Sequence, residues 1–437
     1  MAQPIEAIRN AFKIPELKQR IIFTLTMLAI YRLGAHVPTP GVDGVTLARR
    51  VHEGGGLLGF YDLFSGGAFA QATIFALGIM PYISASIIMQ LLTAVVPALE
   101  QLKREGQEGQ KKITEYTRYG TIGLCIVQAI GVSFFLQNMG PEIVPNPGLG
   151  FTMMCVMSFT TGTAFVMWLG EQISERGVGN GISLIIFISI VSGLPTALNN
   201  LGTMLGAGEI DILMIMLLFV MLVVVTGFVV MVTQGQRRIP VQYPRQVKGR
   251  RVFSGARNYL PLRVNQAGVI PIIFASSILM LPGMVVGSLD IPGAIFFQDW
   301  HNTWIYNTIY VGMIIFFCFF YTAITFNPVE MADNMKKYGG VILGVRPGKA
   351  TAEYLQFVMT RITLVGSVFL AGVALLPQLV YQFMGIYDWH VASFFGGTSL
   401  LILVGVGLDT VRQIEQHLVM RNYEGFMKGR RVRGRRM

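Results

Sequence analysis

Ten blocks of roughly 20 apolar residues dominate the chain, at about 21–37, 72–96, 119–138, 151–170, 181–198, 211–232, 267–288, 304–326, 359–380 and 397–417. An α-helix of that length matches a hydrocarbon core of about 30 Å. Lipid offers the backbone no hydrogen bonds, so a block that crosses it must be helical. The expected fold is therefore an all-α polytopic membrane protein with ten transmembrane helices. Only 13% of the 437 residues are charged, about half the share of a soluble domain, which agrees with lipid as the main solvent. Cys125, Cys155 and Cys318 all lie inside apolar blocks without a CxxC pair or ligand spacing, which argues against disulfide, zinc or thiol chemistry.

An even number of crossings puts both termini on one side, and Lys and Arg decide which. They crowd the N-terminal segment, the connections 2/3, 4/5, 6/7 and 8/9, and the C-terminal segment. The opposite connections hold only Arg49 and Arg50, with Arg32 near the end of block 1. Both termini are expected in the cytosol. Residues 1–20 form a basic amphipathic stretch, with Ile5, Ile8 and Phe12 at helical spacing beside Arg9, Lys13, Lys18 and Arg20. No small-residue cleavage site follows the first apolar block, so that block reads as an uncleaved span. The last block loses its apolar character at Asp409, Arg412 and Glu415, so its helix should protrude into the cytosol. Between blocks 1 and 2, Gly54–Gly56 precede an apolar run at 57–69 that includes Leu57, Leu58, Phe60, Tyr61, Leu63 and Phe64. The run is too short to span and too apolar for a free loop. A re-entrant helix sheltered by protein fits it.

An internal repeat is visible. Blocks 2 and 7 match at Gly78/Gly268, Pro81/Pro271, Ile83/Ile273, Ala85/Ala275, Ser86/Ser276 and Ile88/Ile278, and blocks 5 and 10 match from Gly181 and Gly397, pairing Ile186 with Ile402. Both pairs differ by five blocks. An odd offset inverts topology, so the expectation is two pseudo-symmetric inverted halves of five spans, residues 1–205 and 206–437, with the functional centre between them. The second half carries long basic connections at 233–266 and 327–358 and a basic C-terminal tail.

No Asp, Glu, Lys, Arg or His occupies the middle of any block, although ion-coupled carriers commonly mark their pathways with such groups. Isoleucine stands there instead. Ile79 and Ile83, and Ile182 and Ile186, are each one helical turn apart. With Ile273 and Ile402 they could form an apolar collar, and a hydrophobic constriction can shut a pore by dewetting. Ordinary helix packing is the alternative reading of the same residues. Connection 6/7 carries Arg237, Arg238, Arg245, Lys248, Arg250, Arg251, Arg257 and Arg263 with no acidic residue between 233 and 264, together with Tyr243, Phe253 and Tyr259. Such a loop suits RNA phosphates or an acidic protein surface, and also topology control and anionic headgroups.

The segments FALGIMPYISASIIMQLL (75–92), GQRRIPVQY (235–243), NQAGVIPIIFASS (265–277), VRPG (345–348) and GGTSLLI (396–402) strongly resemble the SecY family, the large subunits of the bacterial Sec translocon. The resemblance covers nearly the whole chain. It implies an hourglass of two five-helix halves with a six-residue pore ring at Ile79, Ile83, Ile182, Ile186, Ile273 and Ile402, and a plug at about 57–69. It further implies a lateral gate between spans 2 and 3 on one side and 7 and 8 on the other. Ser86, Gln90, Gln128 and Asn180 are the polar candidates near that seam, with structural interhelical hydrogen bonds as their alternative role. The family's partners would be SecE and SecG, the SecA motor ATPase, the ribosome, membrane lipids and an unfolded preprotein with its signal sequence. Arg346 matches a functionally important loop arginine of the family. The C-terminal KGRRVRGRR (428–436) reads as a topology-setting and ribosome-facing tail. The chain has no Walker A motif, nucleophile-and-base pair or metal cluster, so no enzyme activity, cofactor or metal is expected. A secondary transporter with inverted repeats and a membrane scaffold are the alternatives, the first disfavoured by the missing buried charges.

Overall fold

Each of the ten apolar blocks contains helix, although block 2 is helical only from Met80 and block 5 is divided between two helices. The computed structural model describes residues 14–54, 62, 64–243, 246–248, 251–253, 257–288, 304–383, 391–392, 394 and 397–429. Outside the described residues lie Ile5, Ile8, Arg9, Phe12 and Lys13 of the amphipathic stretch, Leu57, Leu58, Phe60, Tyr61 and Leu63 of the expected plug, Arg250, and the tail from residue 430. The helices, in chain order, begin with α1 (Pro15–Gly34), α2 (Gly44–Gly54), α3 (Met80–Val95), α4 (Pro97–Arg104) and α5 (Gln107–Asn138). There follow α6 (Leu149–Arg176), α7 (Gly181–Ser192), α8 (Leu194–Ala207) and α9 (Ile212–Gln234). Beyond a strand-bearing segment come α10 (Ile270–Ser288), α11 (Trp304–Thr325), α12 (Pro328–Lys337), α13 (Lys349–Phe383) and α14 (Gly397–Gly429).

Among the described residues seven helices are long and apolar enough to cross a membrane, or eight if the pair α3 and α4, bent by 97°, counts as one span. Helix α9 makes the solvent plain. It fully buries only Leu218 and Val229 while exposing Leu213, Met216, Phe219, Val220, Val223 and Phe228, and a helix apolar on every side belongs in lipid. The last helix continues unbroken past Asp409, Arg412 and Glu415 to Gly429, as its sequence predicts.

The chain divides into two compact units, Met1–Asn200 with Ile402–Met437, and Leu201–Leu401. In the first, α5 packs on α3 and on α6, α6 packs on α7, and α1 lies against both α6 and α7. Leu17 and Val178 form a small separate cluster with Ile14, Ile21, Ile414 and Leu418, so the distal part of α14 rests on the start of α1 and the turn after α6. In the second unit, α11 packs on α10 and on α13.

Block 2 departs from expectation in its first residues, because helix begins only at Met80. Gly78 stands at φ +55°, a left-handed conformation that ends any helical run through it, and Pro81 sits in the first turn of α3, where the missing N–H costs nothing. From Gly66 to Ile79 the backbone runs through turns. Their polar groups are paired locally: Thr39 N–H to the Ala72 carbonyl at 2.9 Å, and Ile74 N–H to that of Val37 at 3.0 Å. Ala68, Phe69, Ala70, Thr73, Phe75 and Leu77 are all buried, which meets the condition for irregular backbone at membrane depth. The repeat carries this local structure too, since Gly268 has φ +65° and α10 starts two residues later with Pro271 in its first turn.

The basic connection 6/7, read from sequence only as a loop, is a β-hairpin. Strand β1 (Gln236–Gln242) pairs antiparallel with β4 (Arg257–Arg263), in register Arg238↔Pro261 and Val241↔Asn258, and on its other side with β5 (Val341–Ile342) from connection 8/9. Strands β2 (Gln246–Lys248) and β3 (Arg251–Phe253) pair antiparallel with each other as a separate two-stranded sheet. Residues Ile239, Val241 and Leu262 of the sheet are buried with Phe326, Met335, Ile342, Leu355, Val358 and Met359, so the two connections share one apolar core.

Candidate functional site

Ile79 is the residue that caps α3, and its carbonyl accepts from the Ile83 N–H at 3.1 Å, which sets the two side chains one turn apart. Ile79 is buried and Ile83 half-buried. In α7, Ile186 is buried and Ile182 half-buried, and a Cβ placed on Gly170 would stand 3.2 Å from Ile182 Cγ1. Ser174 Oγ accepts from the Gly181 N–H at 2.9 Å and so tightens the α6–α7 turn that presents Ile182. Ile402 is buried in α14, and these five isoleucines all belong to the first unit. Ile273, buried near the start of α10, belongs to the second.

Of the expected plug, the described part is Asp62 and Phe64 onward, and both of these residues are buried. The Asp62 carboxylate accepts from the Ala70 N–H at 2.7 Å, and Ser65 Oγ accepts from Phe69 N–H at 3.0 Å while donating to the Asp62 carbonyl at 3.0 Å. This knot docks on α1 and α7. The Gly66 carbonyl accepts from Arg32 Nη1 at 2.8 Å, and Tyr31 Oη lies 3.3 Å from the Ser65 carbonyl and 2.7 Å from Ser189 Oγ. Phe75 stacks between Tyr31 and Phe165, with centroids 5.8 and 6.0 Å away. In the sequence Arg32 stands out only as an exception to the charge pattern, a cation near the end of an apolar block. Tyr31 and Ser189 carry no such signal.

Ser86 and Gln90 lie one turn apart on α3, half-buried and exposed, and Gln128 lies on α5, which packs against α3. The Gln128 Oε1 atom is buried without a hydrogen-bond partner, an arrangement that costs free energy unless a donor arrives. Asn180 is exposed, and its side chain caps α7 by accepting from the Ser183 N–H at 3.2 Å.

Arg237 and Arg238 are exposed on β1, where Ile239 and Val241 alternate inward. Lys248 lies on β2, Arg251 on β3 and Arg257 on β4. Arg346 is exposed in the turn before α13, and its carbonyl accepts from Thr351 Oγ1 at 2.8 Å. The period-two pattern of Ile239-Pro240-Val241 and Leu260-Pro261-Leu262 was the sequence signal for this sheet.

A family model described as SecY matches residues 73–411. A protein translocase subunit SecY from Streptomyces griseus is 49% identical over 440 residues, covering 97% of this chain and 99% of that protein. Among solved structures, a SecY protein whose plug domain stabilises the closed state of its translocation channel matches with TM-score 0.63 at 18% identity, over 92% of each chain. Sec61 in a canine ribosome-channel complex from the endoplasmic reticulum matches with TM-score 0.60 at 17% identity, again over 92% of each chain.

Proposed function

The chain belongs to the SecY family, and from that premise we propose a mechanism in which six isoleucines close around an unfolded polypeptide passing through the membrane. Family membership makes it the protein-conducting channel subunit of a Sec translocon, a multi-pass membrane protein that conducts passively and is not an enzyme.

Ile79, Ile83, Ile182, Ile186, Ile273 and Ile402 form the pore ring in this reading. The observation that carries it is the pairing of Ile79 with Ile83 and of Ile182 with Ile186, each one turn apart on two helices of one unit. A flexible apolar gasket has no fixed hydrogen-bond pattern, so it selects no substrate sequence, and without substrate it excludes water by dewetting. The halves 1–205 and 206–437 contribute to it as inverted repeats. The plug, residues 57–69, closes the resting channel, and its described part holds a network of hydrogen bonds suited to one preferred resting position.

Sideways opening between spans 2 and 3 on one side and 7 and 8 on the other, past Ser86, Gln90, Gln128 and Asn180, releases apolar segments to lipid. Each Leu or Ile then gains about 0.3–0.6 kcal/mol on the insertion scale, so the substrate carries its own sorting signal. SecE and SecG accompany the chain. The ribosome or the SecA ATPase drives transport and docks on Arg237, Arg238, Lys248, Arg250, Arg251, Arg257 and Arg346, with both termini cytosolic in the inner membrane. The exposure of Arg237 and Arg238 on β1, and of Arg346 in the turn before α13, supports that assignment.

The test is crosslinking of a stalled secretory chain to cysteines placed singly at Ile83, Ile186, Ile273 and Ile402. Adducts concentrated at those four positions are expected. Adducts confined to lipid-facing control positions such as Val223 would overturn the ring assignment.

A further inference from the structure

Ser65 and Gly66 sit between the supports of two helices. Gly66 has φ +69°, and a Cβ there would come within 2.9 Å of the Ser189 Cα. Ser189 follows Ile186 by one turn of α7. On the other side, a Cβ on Gly78 would lie 3.6 Å from the Ser65 Cα, and Gly78 directly precedes Ile79. Gly66 thus packs closely on the α7 backbone three residues beyond Ile186, while Ser65 lies beside Gly78, the residue before Ile79, with room for no more than a Cβ between them. Three side chains hold them there. Ser189 donates to the Ile185 carbonyl at 2.9 Å, so its oxygen is free to accept from Tyr31, whose proton is shared with the Ser65 carbonyl. Arg32 Nη1 donates to the Gly66 carbonyl at 2.8 Å, whereas Ser192 Oγ, 3.4 Å from that carbonyl, gives its proton to the Ser189 carbonyl at 2.6 Å. Tyr31 is almost wholly buried and packed face to face with Phe75, so the donors cannot drift without repacking.

We propose that Ser65–Gly66 is a spacer between the helices bearing Ile79 and Ile186, with Tyr31, Arg32 and Ser189 as its positioning residues, so that it fixes the aperture of the first unit's share of the ring. The inference rests on the ring reading above and adds to it a link between plug and ring. A displacement of Ser65–Gly66 relaxes the separation of the isoleucines, and the two closures of the channel act together.

The test uses the full translocon complex reconstituted in lipid vesicles, with the three native cysteines replaced and new ones at Ile79 and Ile186. Bifunctional thiol reagents of graded length report the separation, and ion efflux reports the resting leak. Gly66→Ala should shift the best-fitting reagent to a longer one and raise the leak several-fold. Tyr31→Phe keeps the stacking on Phe75 and removes only the hydroxyl, so it folds where Gly66→Ala fails, and a smaller shift in the same direction is expected. An unchanged reagent preference and leak in Tyr31→Phe, with only a lowered melting temperature, would overturn the proposal and leave the contacts purely structural. If a stalled chain never crosslinks to either cysteine in the parent protein, the ring reading falls instead. A reagent shift with Gly66→Ala would still establish the spacer.

Discussion

Arg118 grips Glu171 through two parallel contacts, Nε to Oε1 and Nη2 to Oε2, both at 2.8 Å, and so ties α5 to its neighbour α6. The fork geometry is one that only arginine offers a carboxylate. Glu171 keeps 15% of its side chain exposed and Arg118 43%. Removing the partner of a buried charge costs about 3–5 kcal/mol, and the exposure of Arg118 to screening lowers that to about 1–3 kcal/mol. Arg118→Ala should therefore lower the thermal unfolding midpoint in detergent, Arg118→Lys should recover little, and the double variant with Glu171→Ala should recover part of the loss. An Arg118→Ala protein that melts like the parent would show the pair to be idle.

Two helical glycines predict opposite outcomes for one substitution. A Cβ on Gly162 of α6 would overlap the Ile74 carbonyl and approach Phe75 Cδ1 to 3.2 Å, whereas a Cβ on Gly131 of α5 meets nothing within 4 Å. Gly162→Ala should destabilise by about 1–3 kcal/mol through overpacking. Gly131→Ala should be neutral or stabilise by up to about 1 kcal/mol, the helix-propensity difference between the two residues. Melting curves of both variants compare the two directly, and equal losses would remove the close approach of 66–79 to α6.

The helices were legible because burial in lipid demands apolar residues, and in an unbroken apolar run of about 20 residues a helix pairs all its backbone groups within the run. Their ends were less so. The left-handed Gly78 and the turns through 66–79 interrupt an apolar run without changing its composition, so block 2 looked continuous. The sheet at 236–263 was hidden for a different reason. Its many charges mask the alternation of Ile239 and Val241, and the contacts that complete its core come from Leu355 and Met359, a hundred residues on in the chain. Among candidate residues, the isoleucines stand out in the sequence through repeat and resemblance. The clamp of Tyr31 and Ser189 was not, because a tyrosine and a serine far apart in sequence leave no pattern before the chain folds.

Asp43 caps α2 by accepting from the Val45 N–H at 3.0 Å and the Thr46 hydroxyl at 2.6 Å, and these bonds hold its carboxyl below the usual carboxylate range. A group whose folded pKa is depressed contributes stability above its unfolded value, near 3.9 for Asp, and loses it as pH falls through the folded value. Amide exchange protection in the first turn of α2, corrected for intrinsic rates, should be flat from about pH 7 to pH 5 and decline below about pH 4. Asp43→Ala should show lower protection that no longer varies over that window. Persistence of the decline in the variant would assign it to another group.

Because β5 and α13 from connection 8/9 complete the core under the β1–β4 hairpin of connection 6/7, damage to one should be felt in the other. Leu355 is fully buried there, and Leu355→Ala should cost the local body about 2–5 kcal/mol. Phe357, two residues along, is 58% exposed and serves as the control. Limited trypsin digestion should cut the hairpin near Arg257 and Arg263 faster in Leu355→Ala than in Phe357→Ala, although neither substitution lies in that connection. A partner that reads Arg238 and Arg346 together should lose affinity in step with the cutting rate, since both arginines depend on one core for their relative placement. Faster exchange around residue 355 with unchanged cutting of the hairpin would mean that the two connections hold their shapes independently, and that the shared core does not transmit disorder between them.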